Sequence, residues 1–196
     1  MADLFVVRHG ETEWSLSGQH TGRTDLPLTD EGRTQARALR PVLHRCSFAL
    51  VLASPLQRAR ETAALAGLSP VFSDDLLEWD YGSYEGRTAA DIRAERPGWD
   101  IWRDGAEGGE TPAEVAARAE RVIARVLPAL DQGDVCLVAH SHFLRMLATR
   151  WLEQEIDFGA RLPMEPTAVG RLGLRRGIRV LHEWTAPPDR SRITRS

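Results

Sequence analysis

Two short apolar runs, Leu4-Phe5-Val6-Val7 and Val135-Cys136-Leu137-Val138-Ala139, each end abruptly on a histidine, in Arg8-His9-Gly10-Glu11-Thr12 and His140-Ser141-His142. Runs this short and this uniformly apolar read as buried strands of a sheet covered by helices. The repeat of one pattern at both ends of the chain constrains the fold more than any other feature. In open α/β sheets ligands gather outside the carboxyl ends of the strands, so both histidines are delivered to the edge where chemistry is done.

The chain between them supplies the helices. Thr29 caps one that carries Asp30 and Glu31 in its first turn and apolar residues at Ala36, Leu39 and Leu43, with Pro41 ending or bending it. Residues 48–53 form a second strand, Pro55 opens a helix reaching residue 66, and residues 70–72 form a short strand. Residues 88–95 make a short helix stopped before Pro97. Thr111-Pro112-Ala113-Glu114 is a capping box with proline in its first position, and it starts a long amphipathic helix to about residue 130. Residues 142–152 continue as a helix after His140. Strands at 168–174 and 178–184, around Arg175-Arg176-Gly177, close an antiparallel hairpin.

Two stretches read as irregular: 14–28, a loop rich in Gly, Ser, Thr and Asp of a length that is usually functional, and 98–110, which has the character of covering structure. The tail from Ala186 is expected to be disordered. The alternation predicts a three-layer α/β/α sandwich with a mostly parallel, partly mixed sheet. One catalytic domain is expected over residues 1–185, with residues 80–110 as a small cap over its active edge.

With 196 residues, two domains would be cramped, and a net charge of -3 gives no reason to expect a nucleic-acid or membrane partner. All 25 basic residues are arginine. Without lysine the chain can hold neither a phosphate-binding P-loop nor a Schiff base, whereas arginine suits bidentate phosphate contacts. Cys46 and Cys136 are isolated, and both are expected to be reduced and buried. No signal peptide or membrane span is read, so a cytoplasmic location is expected.

Two further segments carry chemistry: Ser54-Pro55-Leu56-Gln57-Arg58-Ala59-Arg60-Glu61-Thr62 and Glu78-Trp79-Asp80-Tyr81-Gly82-Ser83-Tyr84-Glu85-Gly86. A phosphate monoester carries nearly two negative charges at neutral pH and needs several donors converging on its oxygens. Arg8, Arg58 and His140 each follow a strand end and can supply them, with backbone donors from the helix starts at Pro55 and near Ser141. Glu78 and Glu85 are rival acids in one segment. No cluster has metal-ligand spacing, so activity without metal or cofactor is expected.

Taken in order, the four segments resemble the histidine phosphatase superfamily, the phosphoglycerate-mutase-like group, over residues 4 to 184. The branch they resemble most contains small acid phosphatases and sugar bisphosphatases. The resemblance implies that His9 is a nucleophile that becomes phosphorylated and that Glu78 is the general acid and base. It also implies phosphate contacts from Thr21 and Gly22; Ser15 stands where relatives carry asparagine, and Ser141 joins the phosphate-binding set. His20, Tyr81, Tyr84 and Trp102, with Trp14 and Trp99, would line a substrate pocket, and His142 would be structural.

The function implied is a phosphomonoesterase acting on a small phosphorylated metabolite, with a sugar phosphate as leading class. A 2,3-bisphosphoglycerate-dependent phosphoglycerate mutase is the alternative within the group, and a catalytically silent phospholigand-binding scaffold the alternative outside it. A homodimer is the assembly the resemblance suggests.

Overall fold

A computed structural model describes residues 2–184. The expected disordered tail lies outside them. Strand β1 (Asp3–Arg8) is followed by the one-turn helix α1 (Glu13–Ser17), helices α2 (Asp30–Ala38) and α3 (Arg40–Leu43), and β2 (Phe48–Ala53). Helix α4 (Gln57–Leu65), the short β3 (Val71–Phe72), α5 (Ala89–Glu95) and α6 (Ile101–Asp104) come next. The chain then forms α7 (Pro112–Leu130), β4 (Asp134–Ala139), α8 (Ser141–Trp151), β5 (Val169–Arg175) and β6 (Ile178–Trp184).

The six strands form one sheet in the order β3-β2-β4-β1-β5-β6. The pairs β3/β2, β2/β4 and β4/β1 are parallel, and β1/β5 and β5/β6 are antiparallel. The sheet is thus mostly parallel with an antiparallel edge. Arg176 and Gly177 both have positive φ, at 53° and 79°, as the tight two-residue turn of a hairpin requires.

Alternation along the strands splits the core into two layers of contact. Leu4, Val6, Leu137 and Ala139 pack with Val115, Val122 and Val126 of α7 and Phe143 and Leu147 of α8. Val7, Cys136 and Val138 point the other way, against Leu39, Leu43, Ala59 and Ala63 of the α2–α4 face. Side chains of period two place helices on both faces, giving the expected three layers.

Four local expectations are corrected. The stretch from residue 14 is not all loop, because the Thr12 hydroxyl and Ser15 form a capping box that folds α1. Pro55 does not open a helix: α4 starts at Gln57 with Leu56 as its cap, and Ser54 and Pro55 stay in the turn after β2. The 98–110 cover contains α6, capped by the Asp100 carboxylate on the Trp102 amide. Cys136 is buried, but Cys46 is only half-buried; both are free thiols. The expected interruption at Pro41 is present: Pro41 falls in the first turn of α3, and the helix begun at Asp30 breaks at Leu39.

Candidate active site

β1 and β4 are adjacent and parallel, so the turns after them lie side by side at one sheet edge. This brings His9 and His140 together, ring centroids 5.1 Å apart and edge to face. Gly10 makes the sharp exit from β1: a Cβ there would come within 2.5 Å of the Gly32 carbonyl in α2, too close for any side chain.

His9 Nδ1 lies 2.7 Å from the Gly10 carbonyl. A carbonyl only accepts, so Nδ1 carries the proton and Nε2 holds the lone pair. Burial, reinforced by the nearby Arg58 and Arg8 charges, keeps the His9 pKa well below its ordinary value, so the ring is neutral. Arg8, the last residue of β1, donates from Nη1 to the Met164 carbonyl, while its buried Nε has no hydrogen-bond partner among the described residues.

Glu78 is brought beside them by α8. The first amides of that helix have no side-chain cap from His140, and the Glu78 carboxylate satisfies them from far along the chain. Its Oε1 accepts from the Phe143 amide at 2.8 Å and the Trp79 amide at 2.9 Å, and its Oε2 from the His142 amide at 3.1 Å. Three such donors favour the ionised form, yet burial outweighs them and the Glu78 pKa is raised.

Arg8, His9, Glu78 and Ser141 line one cavity of about 460 Å³, within the range of small-molecule sites. Ser15, Thr21, His20, Tyr81 and Trp102 line it too, as do Trp14 and Trp99. Two of these residues turn their hydroxyls to partners of their own, and two other predicted residues lie outside the wall. The Ser15 hydroxyl is engaged in its own capping box with Thr12, and Ser141 Oγ donates to the Met164 carbonyl at 3.3 Å. Tyr84 is buried behind the pocket, edge-on to Trp99 at 5.4 Å. The Gly22 amide points to Glu85 rather than to the cavity.

Arg58 and His140 stand behind His9, fully buried. Arg58 Nε donates to His140 Nδ1 at 3.1 Å, so the His140 proton sits on Nε2, 2.8 Å from Ser54 Oγ. The Arg58 Nη groups donate to the carbonyls of Thr21, Gly22 and Thr24. Glu85 holds the same loop by its amides, accepting from Gly22 at 2.8 Å, Arg23 at 3.0 Å and Thr24 at 3.3 Å. Of the two rival acids, only Glu78 reaches the pocket.

Residues that the sequence reading missed complete the wall. Arg145 and Arg93 line it, Arg145 stacked on Trp102 at 4.7 Å. Arg145 lies one helical turn beyond Ser141, an i,i+4 relation that could have flagged it; Arg93 sits on an exposed helix face and carries no such signal. His142 lines the pocket as well, its Nδ1 2.6 Å from the Tyr81 hydroxyl. Behind the site, Arg118 makes a two-point ion pair with Glu110 and donates to the carbonyls of Asp75, Leu77 and Glu78. A charge on the apolar face of α7 was its sequence signal.

Among the described residues no group of three or more His, Cys, Asp or Glu could hold a metal ion, and no helix is long and apolar enough to cross a membrane. The fold is that of an α/β enzyme, and the family match and phosphatase relatives make it a phosphoric monoester hydrolase. The chain belongs to the histidine phosphatase superfamily (branch 1), whose family model matches residues 4–187.

It is similar to an acid phosphatase of Mycobacterium tuberculosis, 42% identical over 181 residues that cover 91% of this chain and 89% of the relative. A sedoheptulose 1,7-bisphosphatase of Saccharomyces cerevisiae is 40% identical over 179 residues, 74% of this chain and 66% of that protein. The solved structure of an open reading frame from Mycobacterium tuberculosis superposes with a TM-score of 0.92 at 39% identity, covering 95% of this chain and 98% of that one.

Proposed function

We propose that the protein hydrolyses a small phosphorylated metabolite, a sugar phosphate as leading class, through a phosphohistidine on His9 with Glu78 as general acid and base. The observation that carries this reading is a neutral, buried His9 whose Nδ1–H is tied to the Gly10 carbonyl, lining the same cavity as a buried carboxyl of raised pKa. The pair has opposite tasks and opposite environments to suit them.

In the first step His9 Nε2 gives its lone pair to phosphorus, the P–O bond to the sugar breaks, and protonated Glu78 delivers its proton to the departing oxygen. The Gly10 carbonyl supports the positive charge that develops on the ring. In the second step the Glu78 carboxylate takes a proton from water, the resulting hydroxide attacks phosphorus, and the N–P bond breaks to restore neutral His9. Arg8, with a buried donor left unpaired, holds a phosphoryl oxygen, helped by Ser141. Arg58 and His140 act from behind, Arg58 by charge and by fixing the loop that carries Thr21.

A general acid matters most when the leaving oxygen is a poor leaving group. Glu78→Gln should therefore lower kcat/KM for a sugar phosphate by about 10²- to 10⁴-fold, but that for p-nitrophenyl phosphate far less. Equal losses on the two substrates would make Glu78 a structural cap of α8 and nothing more.

A further inference from the structure

The Glu78 side chain is held by α8, but the backbone that carries it is held from the other side, by α7. Arg118 lies buried on the apolar face of α7 with Val115, Ala119 and Val122. Its Nη1 donates to the carbonyls of Asp75 at 3.0 Å and Leu77 at 2.8 Å, and its Nη2 to the Glu78 carbonyl at 3.3 Å. Nε and Nη2 each meet the Glu110 carboxylate at 2.7 Å, so all five guanidinium N–H donors are used. Glu110 takes up the chain where Arg118 leaves it. Its Oε2 accepts from the Asp80 amide at 2.9 Å, its own amide donates to the Asp80 carbonyl at 2.9 Å, and its carbonyl accepts the Trp79 indole N–H at 2.8 Å. The backbone is thus pinned on both sides of Glu78. The Arg118 guanidinium also lies 4.8 Å from the ring centre of Phe143, whose amide donates to Glu78 Oε1.

Arg118 and Glu110 both stand outside the cavity wall, so neither touches a substrate. Stability alone is a poor reason for the arrangement, because a buried ion pair gains little over apolar side chains of the same volume. What the pair supplies is direction. Proton delivery needs Glu78 protonated, and the α8 amides hold a neutral carboxyl through bonds about half as strong as those to a carboxylate. The side-chain hold therefore weakens in the form that has to work. The Arg118–Glu110 pair balances its own charge and grips backbone, so its hold is the same in both forms of Glu78.

We propose that Arg118 and Glu110 are positioning residues for the acid, a clamp that fixes the backbone of residues 77–80 and so keeps the Glu78 carboxyl in reach of the oxygen leaving from His9. This rests on the hydrolase reading above and adds to it two residues that act only through Glu78.

The test compares two esters of nearly the same shape, phenyl phosphate and p-nitrophenyl phosphate, which differ in how much their leaving oxygen needs an acid. kcat/KM reports the phosphorylation step, in which Glu78 gives its proton. Arg118→Met keeps a long apolar stem beside Phe143 and removes the donors; it should lower kcat/KM for phenyl phosphate about tenfold more than for p-nitrophenyl phosphate, the scale of a small misplacement of a catalytic group. Glu110→Gln keeps the shape and should shift the ratio the same way, by less. In a Glu78→Gln background there is no proton left to aim, so adding Arg118→Met should leave the ratio within about twofold of that of Glu78→Gln alone. Each ratio is taken within one variant, so loss of folded protein cancels. Equal losses on both esters in Arg118→Met and Glu110→Gln, or a further shift of the ratio in the Glu78→Gln background, overturn the clamp while leaving the acid in place. A Glu78→Gln variant whose own ratio matches the wild type overturns the acid assignment, and the clamp with it.

Discussion

The protonation states of two buried residues, His9 and Glu78, decide what this site can do. Burial moves both toward their neutral forms: it depresses the His9 pKa below 6.5 and raises that of Glu78 above 4.5. Nucleophilic attack needs neutral His9, so kcat/KM must fall as pH drops through the depressed His9 value. Proton delivery needs the protonated acid, so kcat/KM must also fall as pH rises through the Glu78 value. The expected profile for a sugar phosphate is a bell whose acid limb belongs to His9 and whose alkaline limb belongs to Glu78. The substrate's own second ionisation, near pH 6, contributes equally in any variant. Glu78→Gln should therefore flatten the alkaline limb beyond what the substrate imposes, and a limb that the substitution leaves intact would contradict these assignments.

At the level of elements, the site depends on a loop held from both polarities. Arg58 takes the carbonyls of residues 21, 22 and 24, and Glu85 takes the amides of 22, 23 and 24. Gly22 is the residue that fits between them, since a Cβ would fall 2.2 Å from Glu85 Oε1 and 2.5 Å from the Trp79 carbonyl. Glu85→Gln replaces one acceptor oxygen by a donor and leaves part-buried donors of the loop unpaired, which should cost about 1 kcal/mol in a urea unfolding titration. It should also lower kcat/KM for aryl and sugar phosphates by a similar factor, unlike Glu78→Gln; a loss confined to the sugar phosphate would make Glu85 an acid. The strand–histidine turns, the Thr111 capping box and the hairpin were legible in sequence because each has a local signal at short spacing. The start of α4 was not, because Pro55 satisfies the rule for a first helical residue while Ser54 is committed to His140 across the sheet edge. The choice between Glu78 and Glu85 was equally hidden, since it is made by the amides of α8, more than sixty residues away.

For the whole molecule, the same burial that readies the site sets an acid limit on the fold. His9, His20, His140 and His142 all have pKa values lowered from 6.5, mainly by burial. Below that pH the unfolded chain takes up protons that the folded chain refuses, so stability falls as pH drops, by up to about 1.4 kcal/mol per pH unit for each histidine kept neutral. Glu78 acts in the opposite sense, because its raised pKa lets the folded state bind a proton first, but it is one group against four. The urea midpoint should accordingly be lower at pH about 5.5 than at about 7.5, and an unchanged or higher midpoint would show that the rings are protonated in place. The central claim, that this fold hydrolyses phosphate esters by way of His9, is tested most directly by the mass of the intact chain after rapid quenching into base during turnover. The account predicts a population heavier by one phosphoryl group, lost on brief acid treatment and absent from His9→Ala. An acid-stable adduct, an adduct that persists in His9→Ala, or turnover in that variant at the wild-type rate would contradict it.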